Sequence, residues 1–592
     1  MRKKALVIFN DNCHEDNAKW WQQFNVVFAH ERYRPTAEKY GLEFENIEEL
    51  LLEGSIYEAS ALAEELSRLK LKDGSRLTKL LVYKGYELWW INYNRLYLFY
   101  CLPFTQYKKL FERINNFNSV HLFDPPFRGL FHLYLEAYNC EVDVIRGHGF
   151  KSPFFLPWGI LVQIFLTIIF IPFLIIKKHS LMVFIGDKFE KNHDYDFRMK
   201  FIYEELRERQ IPFVEFVRSL EPWKNILEHA LIRKRPVVYS EAVVYLGKFL
   251  SLITGGRQIS KAKYGTTNFS HVVDKEMRFK FMLATQYISC AHNDIWAIRI
   301  MKLILKIIGV KACFVTAALE RNFHAVMGCK LNDIPTVGIM HGLSSKYYTV
   351  FDLFPSFEGG KPMAVDKYGV WSEWWKEYYI KNGTTYLPNQ LHVSGLMRPL
   401  ENEDLKIVDE VESVRTSSLI KVLFVPGQIS EPKEVAPYLL ALLKDPAMSV
   451  YLTFRPYRDG FERKLMKYDS RIVSLVGEDR IFRGNIKDAI AECDIVVGSN
   501  STAVLEALLQ LKPLTLFKTT KWGDYFYAKS FSSEGKFYAE TPEDLIQCIK
   551  TNVETPKILL NKLQERFFGN PYSNGSKWVV NQLEEAITLK KN

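Results

Sequence analysis

Between about residues 365 and 550 the chain alternates short apolar runs with stretches of helical spacing, and this alternation restricts the fold more than any other feature. The apolar runs are Lys367–Trp371, Gln390–Val393, Lys421–Val425, Ser449–Thr453, Ile472–Leu475, Ile495–Gly498 and Leu514–Phe517. Runs of about four to eight apolar residues bounded by turn residues read as strands covered on both faces. Helices between successive strands act as crossovers, which makes the sheet parallel and the crossovers right-handed. The expected class is α/β, with ligands bound beyond the carboxyl ends of the strands.

A second alternation precedes it, over about 180–350. Its expected strands are Leu181–Gly186, Pro212–Phe216, Pro236–Ser240, Ala312–Thr316 and Thr336–Met340. Helices are expected at Asp196–Arg209, Ile295–Ile308 and Arg321–Leu331, the second carrying Arg299, Lys302 and Lys306 among apolar residues. Before these lies a smaller α/β region with expected strands at Lys4–Phe9, Ser119–Phe123 and Glu141–Arg146 and a helix over Ile47–Leu71. Its aromatic-dense stretch, Tyr86–Cys101, reads mostly as core. The expected division is an N-terminal α/β region at 1–150, an apolar segment at 151–179, α/β domains at 180–360 and 361–550, and terminal helices at 551–592 that can pack back on an earlier domain.

Hydrophobic residues make up 48% of the 592 and charged residues 25%, a composition that excludes disorder. The formal net charge of +10 suits acidic partners such as nucleoside diphosphates or anionic lipid headgroups. No nucleic-acid motif or zinc-finger spacing occurs, so no nucleic acid partner is expected. The eight cysteines are scattered with no C-x-x-C pair, which reads as reduced, buried thiols. The apolar part of Met1–Phe9 is too short for a signal peptide, and Asn10, Asp11 and Asn12 follow at once.

Residues 153–176 contain no charge. An uncharged apolar run of about 18 or more residues is long enough to cross a bilayer. Lys151, Lys177 and Lys178 flank it, and Trp158 suits headgroup depth. Spanning would divide the α/β material on either side between two compartments, and Pro153, Pro157 and Pro172 oppose a straight helix. The expectation is a segment that enters one leaflet and returns, or lies in the interface.

Four motifs sit where strands are expected to end. In Gly498-Ser499-Asn500-Ser501-Thr502, a strand passes into a helix beginning near Thr502. Free amides and hydroxyls at such a start can hold phosphate, and Glu506, one turn on, can accept hydrogen bonds from a ribose diol; Ser and Thr are also favoured there as plain caps. Val425-Pro426-Gly427-Gln428 is a turn whose glycine lets phosphate approach the backbone. Arg455, after Thr453-Phe454, can neutralise a diphosphate. His341, in Met340-His341-Gly342, is a candidate general base. Asp187 and Glu190, after the first strand of the second region, are alternative bases, and Arg398 follows a strand beside the same site.

Taken together, these segments resemble bacterial GT-B glycosyltransferases of surface polysaccharide synthesis. The resemblance rests on Ile334-Pro-Thr-Val…His341-Gly, on Tyr368-Gly-Val-Trp371…Val393-Ser-Gly-Leu-Met-Arg398-Pro, and on Asp494-Ile-Val-Val-Gly-Ser-Asn-Ser-Thr…Glu506…Lys512-Pro513, and covers about 180–550. Similar C-terminal halves occur in Kdo- and sialyltransferase-like enzymes, CDP-glycerol glycerophosphotransferases and UDP-GlcNAc 2-epimerases. The resemblance implies two Rossmann-like parallel-sheet domains facing a cleft, and a nucleotide-sugar donor, UDP-linked, with Glu506 near the ribose and Ser501 and Thr502 near the phosphates. Donor contacts are expected at Gly427, Gln428, Arg398, Arg455 and Ser499 as well. No metal and no resident cofactor are implied. Several of these groups carry His-Pro where this chain has Arg455-Pro456, which tells against a CMP-linked donor.

The expected activity is transfer of a sugar to a glycan or lipid-linked acceptor at the cytoplasmic face of the cell membrane, by a peripheral, monotopic or single-span enzyme. A CDP-linked polymer phosphotransferase, a 2-epimerase-like isomerase and a non-catalytic scaffold of the same fold are the alternatives.

Overall fold

The computed structural model describes residues 3–10, 18–91, 93–145, 158–177, 181–185, 199–219, 221–233, 236–255, 272–315, 323–343, 345–348, 353–354, 357–358, 361, 363–400, 419–427, 431–454, 460–484, 486–531 and 536–589. Three parallel sheets organise them. The first contains β1 (Lys4–Ile8), β2 (Val26–Ala29), β3 (Glu43–Asn46), β6 (Ser119–Phe123) and β7 (Glu141–Ile145) in the order β3-β2-β1-β6-β7; a small antiparallel hairpin, β4 (Val82–Tyr83) and β5 (Tyr86–Glu87), stands apart.

The second sheet holds β8 (Leu181–Ile185), β9 (Phe213–Val217), β10 (Val237–Tyr239), β11 (Ala312–Val315), β12 (Thr336–Ile339), β13 (Lys367–Val370) and β14 (Leu391–Val393), ordered β10-β9-β8-β11-β12-β13-β14. The third holds β15 (Ile420–Val425), β16 (Met448–Thr453), β17 (Ile481–Phe482), β18 (Ile495–Gly498), β19 (Leu514–Phe517) and β20 (Tyr538–Ala539), ordered β17-β16-β15-β18-β19-β20. In each sheet the chain starts in the middle, works to one edge, then returns and works to the other. That is the doubly wound pattern, with a point of reversal beside the first strand: β1/β6, β8/β11 and β15/β18. The N-terminal region is thus a third doubly wound unit.

Two expectations change. Lys367–Trp371 and Gln390–Val393, placed with the domain at 361–550, extend the middle sheet: β13 pairs with β12 (Gly338 opposite Tyr368) and β14 with β13. Alternation along the chain reveals that a strand exists but not which sheet it joins. The boundary falls after β14, not at 360/361. Ile472–Leu475, expected as a strand, is a helical turn within Arg471–Val476. Ile472 and Val476 are buried and Leu475 is 54% exposed, which is helical spacing, and β17 takes the edge position instead.

Helices differ in extent. Ile47–Leu71 is split into Ile47–Leu50 and Ile56–Arg68, each with its own cap, Asn46 and Ser55, around Gly54 at φ +77°. Five other helices matter below: α1 (Trp158–Lys177), α2 (Trp223–Arg233), α3 (Ser240–Ile253), α4 (Lys275–Ile308) and α5 (Phe323–Lys330). Ile295–Ile308 is the last part of the 34-residue α4, which Asp274 caps and Gly309 closes in the left-handed region. Pro172 lies inside α1 without ending it. Among the described residues α1 is the one helix long and apolar enough to cross a membrane, over Trp158–Ile176 with mean hydropathy 2.7.

The aromatic stretch of the N-terminal region joins it to the middle domain. Trp89 and Tyr287 of α4 meet edge to face at 5.1 Å, and the Tyr287 hydroxyl donates to the Trp89 carbonyl at 2.6 Å. Arg95 reaches Asp294 of α4 with two bonds of 3.1 and 3.2 Å. A short helix, α6 (Thr502–Leu505), follows β18; the last two helices are α7 (Lys557–Phe568) and α8 (Gly575–Leu589), and α8 returns to the middle sheet. There Val579, Val580 and Leu583 are buried with Phe314, Val337 and Ile339.

Candidate functional site

At the reversal point of the third sheet, β15 and β18 run side by side with Val425 opposite Gly498. Gly427 is buried just past β15. A β-carbon on Gly498 would lie 2.4 Å from Val504 Cγ2 and 2.7 Å from the Val425 carbonyl oxygen, so only glycine lets the following turn press against the strands. Ser499 Oγ donates to Asn500 Oδ1 at 3.0 Å. Ser501 is extended (φ −82°, ψ 131°) at the N-cap of α6, and its hydroxyl makes no cap bond. Ser499 and Ser501 are buried; Thr502 and Glu506 are half-buried. The helix expected from Thr502 is one α turn that tightens to 3-10 geometry from Glu506 to Gln510. Two motifs far apart in sequence, Gly427 and Ser499–Glu506, therefore flank one reversal point. Gln428 and Arg455 lie outside the described residues.

Lys512, part of the same motif, is structural: its ammonium donates to the carbonyls of Cys493 (2.9 Å) and Ala491 (3.3 Å). A lysine not singled out from sequence, Lys521, is buried at the carboxyl side of β19 over the Trp522 ring. Burial lowers its pKa, against the opposing pull of Glu53, Glu431 and Glu434.

His341 follows β12, half-buried. The turn is fixed by Met340 N–H to the Gly369 carbonyl (2.8 Å) and by the Trp371 indole to the Met340 carbonyl (2.7 Å). Residues just beyond it are held from two sides. From the third domain, the Tyr525 hydroxyl donates to the Leu343 carbonyl at 3.4 Å; Tyr527 meets Tyr378 at 2.6 Å, whose oxygen accepts from Lys346 N–H at 2.9 Å. From the N-terminal region, Tyr97 donates to the Tyr347 carbonyl and the Tyr57 ring packs on Tyr347, centroids 4.3 Å apart and tilted by 45°. The carboxyl end of β12 and the segment that leaves β19 are thereby in contact. Asp187 and Glu190 lie outside the described residues. Arg398 is exposed past β14, in a segment tied to the start of α8 by Gly575 N–H to the Leu396 carbonyl and Ser576 Oγ to the Met397 carbonyl.

A polar group that the sequence reading missed stands at the carboxyl ends of β9 and β10 and the start of α5. Arg218 pairs with Glu241 at 2.9 Å, and Ser240 Oγ meets His324 Nε2 at 3.0 Å. His324 is fully buried, and its Nδ1 has no hydrogen-bond partner among the described residues. Burial, with Arg218 adding to it, pushes its pKa down to about 3, so the ring is neutral at pH 7. Arg218 and Ser240 each directly follow a strand, a signal the sequence contained; their convergence with His324, 84 positions after Ser240, was not readable. Among the described residues no three His, Cys, Asp or Glu side chains gather as a metal site, and seven cysteines are free thiols.

No family model matches the chain, and no curated protein does. Solved structures similar to it include UDP-GlcNAc 2-epimerase from Neisseria meningitidis bound to UDP-GlcNAc (12% identity, 69% of this chain and 100% of that one, TM-score 0.39). A glycosyltransferase from Rickettsia africae ESF-5 matches at 12% identity over 70% of this chain and 99% of that one, TM-score 0.38. MurG from Acinetobacter baumannii matches at 10% identity over 69% and 99%, TM-score 0.38.

Proposed function

We propose that the chain is a GT-B-type glycosyltransferase that moves a sugar from a UDP-linked donor to a glycan or lipid-linked acceptor in cell-surface polysaccharide synthesis, working at the cytoplasmic face of the cell membrane. The observation that carries this reading is the meeting of two doubly wound sheets at their carboxyl edges. Past His341, which follows β12, the Leu343 carbonyl accepts from Tyr525 and Lys346 is linked through Tyr378 to Tyr527, both tyrosines past β19; β19 pairs with β18, whose Gly498 faces Val425. Ligands of such sheets sit outside the carboxyl ends at the reversal point.

In the proposed reaction an acceptor hydroxyl oxygen bonds to the anomeric carbon as that carbon's bond to the diphosphate oxygen breaks. His341 takes the hydroxyl proton, or Asp187 or Glu190 does, and the nucleoside diphosphate leaves with the bonding electrons. The amides and hydroxyls at Ser499, Ser501 and Thr502, the Gly427–Gln428 turn and Arg455 stabilise the developing charge; Glu506 holds the ribose, and Arg398 lies toward the donor. The sugar nucleotide is consumed as substrate and the reaction calls for no resident cofactor or metal.

The test is thermal unfolding of the full chain with UDP, CDP, CMP or GDP, alongside Glu506→Ala. A ligand at about 100 times its Kd stabilises the folded state by about 2.7 kcal/mol. A UDP-induced rise in Tm that Glu506→Ala abolishes is the expected result. A rise with CDP alone transfers the reading to a polymer phosphotransferase, and no rise with any of the four overturns the site and leaves a scaffold.

A further inference from the structure

The helix α1 has two unlike faces. Trp158, Leu161, Phe165, Ile169, Phe173 and Ile176 follow one another at three- or four-residue intervals and are 64, 41, 62, 38, 55 and 78% exposed. Such spacing is one side of a helix, an apolar stripe about 27 Å long at 1.5 Å per residue. The opposite side, with Ile160, Gln163, Leu166 and Thr167, is buried. Its polar groups are committed to the protein: Gln163 Nε2 donates to the Ser219 carbonyl at 3.0 Å, and Thr167 Oγ1 accepts from Tyr239 N–H at 3.2 Å.

A spanning helix would leave its two flanks on opposite sides of a bilayer. Here the chain before α1 and the chain after it are packed into each other, through Trp89 on Tyr287, Arg95 on Asp294 and Tyr97 on Tyr347. Both ends of α1 are therefore on one side. Two helices packed against α1 expose apolar residues as well. α3 packs against both α1 and α4, closely enough at Gly247 that a β-carbon would stand 2.7 Å from Ala297 N. The last turns of α3 expose Phe249, Leu252 and Ile253, and those of α4 expose Leu303 and Ile307. Exposed charges among them are positive: Lys248, Arg299 and Lys306. The acidic residues of these stretches are taken up elsewhere, Glu241 by Arg218 and Asp294 by Arg95.

We infer that the outer stripe of α1, with the exposed ends of α3 and α4, is a docking face that lies flat in the headgroup region of an anionic bilayer and does not cross it. An apolar face bordered by cations binds there by burying apolar area and by attraction to anionic lipid. α1 starts at the carboxyl ends of β9 and β10, where Ser219 and Tyr239 hold it, next to Arg218, Ser240, Glu241 and His324. A bilayer on this face puts a lipid-anchored acceptor beside that polar group. This acceptor class rests on the transferase reading; the docking does not.

The experiment is flotation of the full chain with vesicles of phosphatidylcholine alone and with phosphatidylglycerol added, with UDP thermal shifts on the same samples. Two surface variants are compared, Phe165→Ser/Phe173→Ser and Phe249→Ser/Leu303→Ser, whose folding is verified by unchanged unfolding without ligand. Expected are binding to the anionic vesicles only, release by alkaline carbonate, and a loss of roughly tenfold or more in each variant with the UDP shift retained. Binding that resists carbonate, binding indifferent to both variants, or a stable dimer that ignores vesicles and dissociates in the variants overturns the docking face. Vesicle binding with no UDP shift removes the transferase reading and the acceptor class alone; a UDP shift with no vesicle binding removes the docking alone.

Discussion

The hydroxyl of Tyr97 donates to the backbone carbonyl of Tyr347, 2.9 Å away and 250 residues later in the chain. Through it the N-terminal region holds the residues that follow His341, which the third domain holds from the other side. Replacing Tyr97 by Phe keeps the packing and leaves a carbonyl short of its donor. The expected cost is about 1–3 kcal/mol in urea unfolding. Turnover should fall while the UDP thermal shift stays, because the lost bond steadies the His341 side and not the Gly498 turn.

Gly498→Ala should act on the other side. Val425 O, 2.7 Å from the added methyl carbon, is backbone and cannot swing aside as a side chain does. Overpacking of this kind costs about 1–3 kcal/mol. The nucleotide-induced rise in Tm should shrink more than the stability does, measured by comparing Tm with and without UDP for the two proteins.

Stability should fall in mild acid through His324. Burial, with the nearby Arg218 charge, pushes its folded pKa down to about 3 from the 6.5 of an exposed imidazole. Between these values the unfolded chain binds a proton that the folded chain excludes, so the stability is full above about pH 6.5 and is lost as pH falls toward 3. From pH 7 to pH 5 this one group takes away about 2 kcal/mol. Urea midpoints at the two pH values should show this loss in the wild type and a smaller one in His324→Gln.

The Arg95–Asp294 pair joins the N-terminal region to α4, with the Asp294 side chain only 7% exposed. Asp294→Asn leaves the Arg95 charge without its counterion, a loss of about 3 kcal/mol. Limited proteolysis should then cut within residues 3–145 faster than in the wild type. Asp294→Leu with Arg95→Met should recover part of the resistance, since no charge is stranded.

Much of the strand pattern was legible because buried parallel strands are short, apolar and bounded: β15, β16, β18 and β19 lie within a residue or two of expectation. Ile472–Leu475 was misread because four apolar residues carry no period of their own; the exposure of Leu475 shows the helical one. The sheet that claims β13 and β14 depends on partners some thirty residues away, such as Gly338 for Tyr368. The Gly427 and Gly498 turns could be proposed separately, while their adjacency came only from the pairing of Val425 with Gly498. Arg218, Ser240 and His324 were not proposed because a lone polar residue after a strand has no motif around it.

The return of α8 to the middle sheet bears on how the protein is made. The seventh strand of that sheet ends at Val393, but Val579, Val580 and Leu583 must arrive before Phe314, Val337 and Ile339 are covered. At about 5–20 residues per second, synthesis leaves that apolar surface open for roughly ten to forty seconds while the entire third domain emerges and folds. The domain begun second is the last to close. A ribosome stalled within the final fifteen codons of α8 would hold a chain with two finished sheets and one sticky one, a natural client for a chaperone.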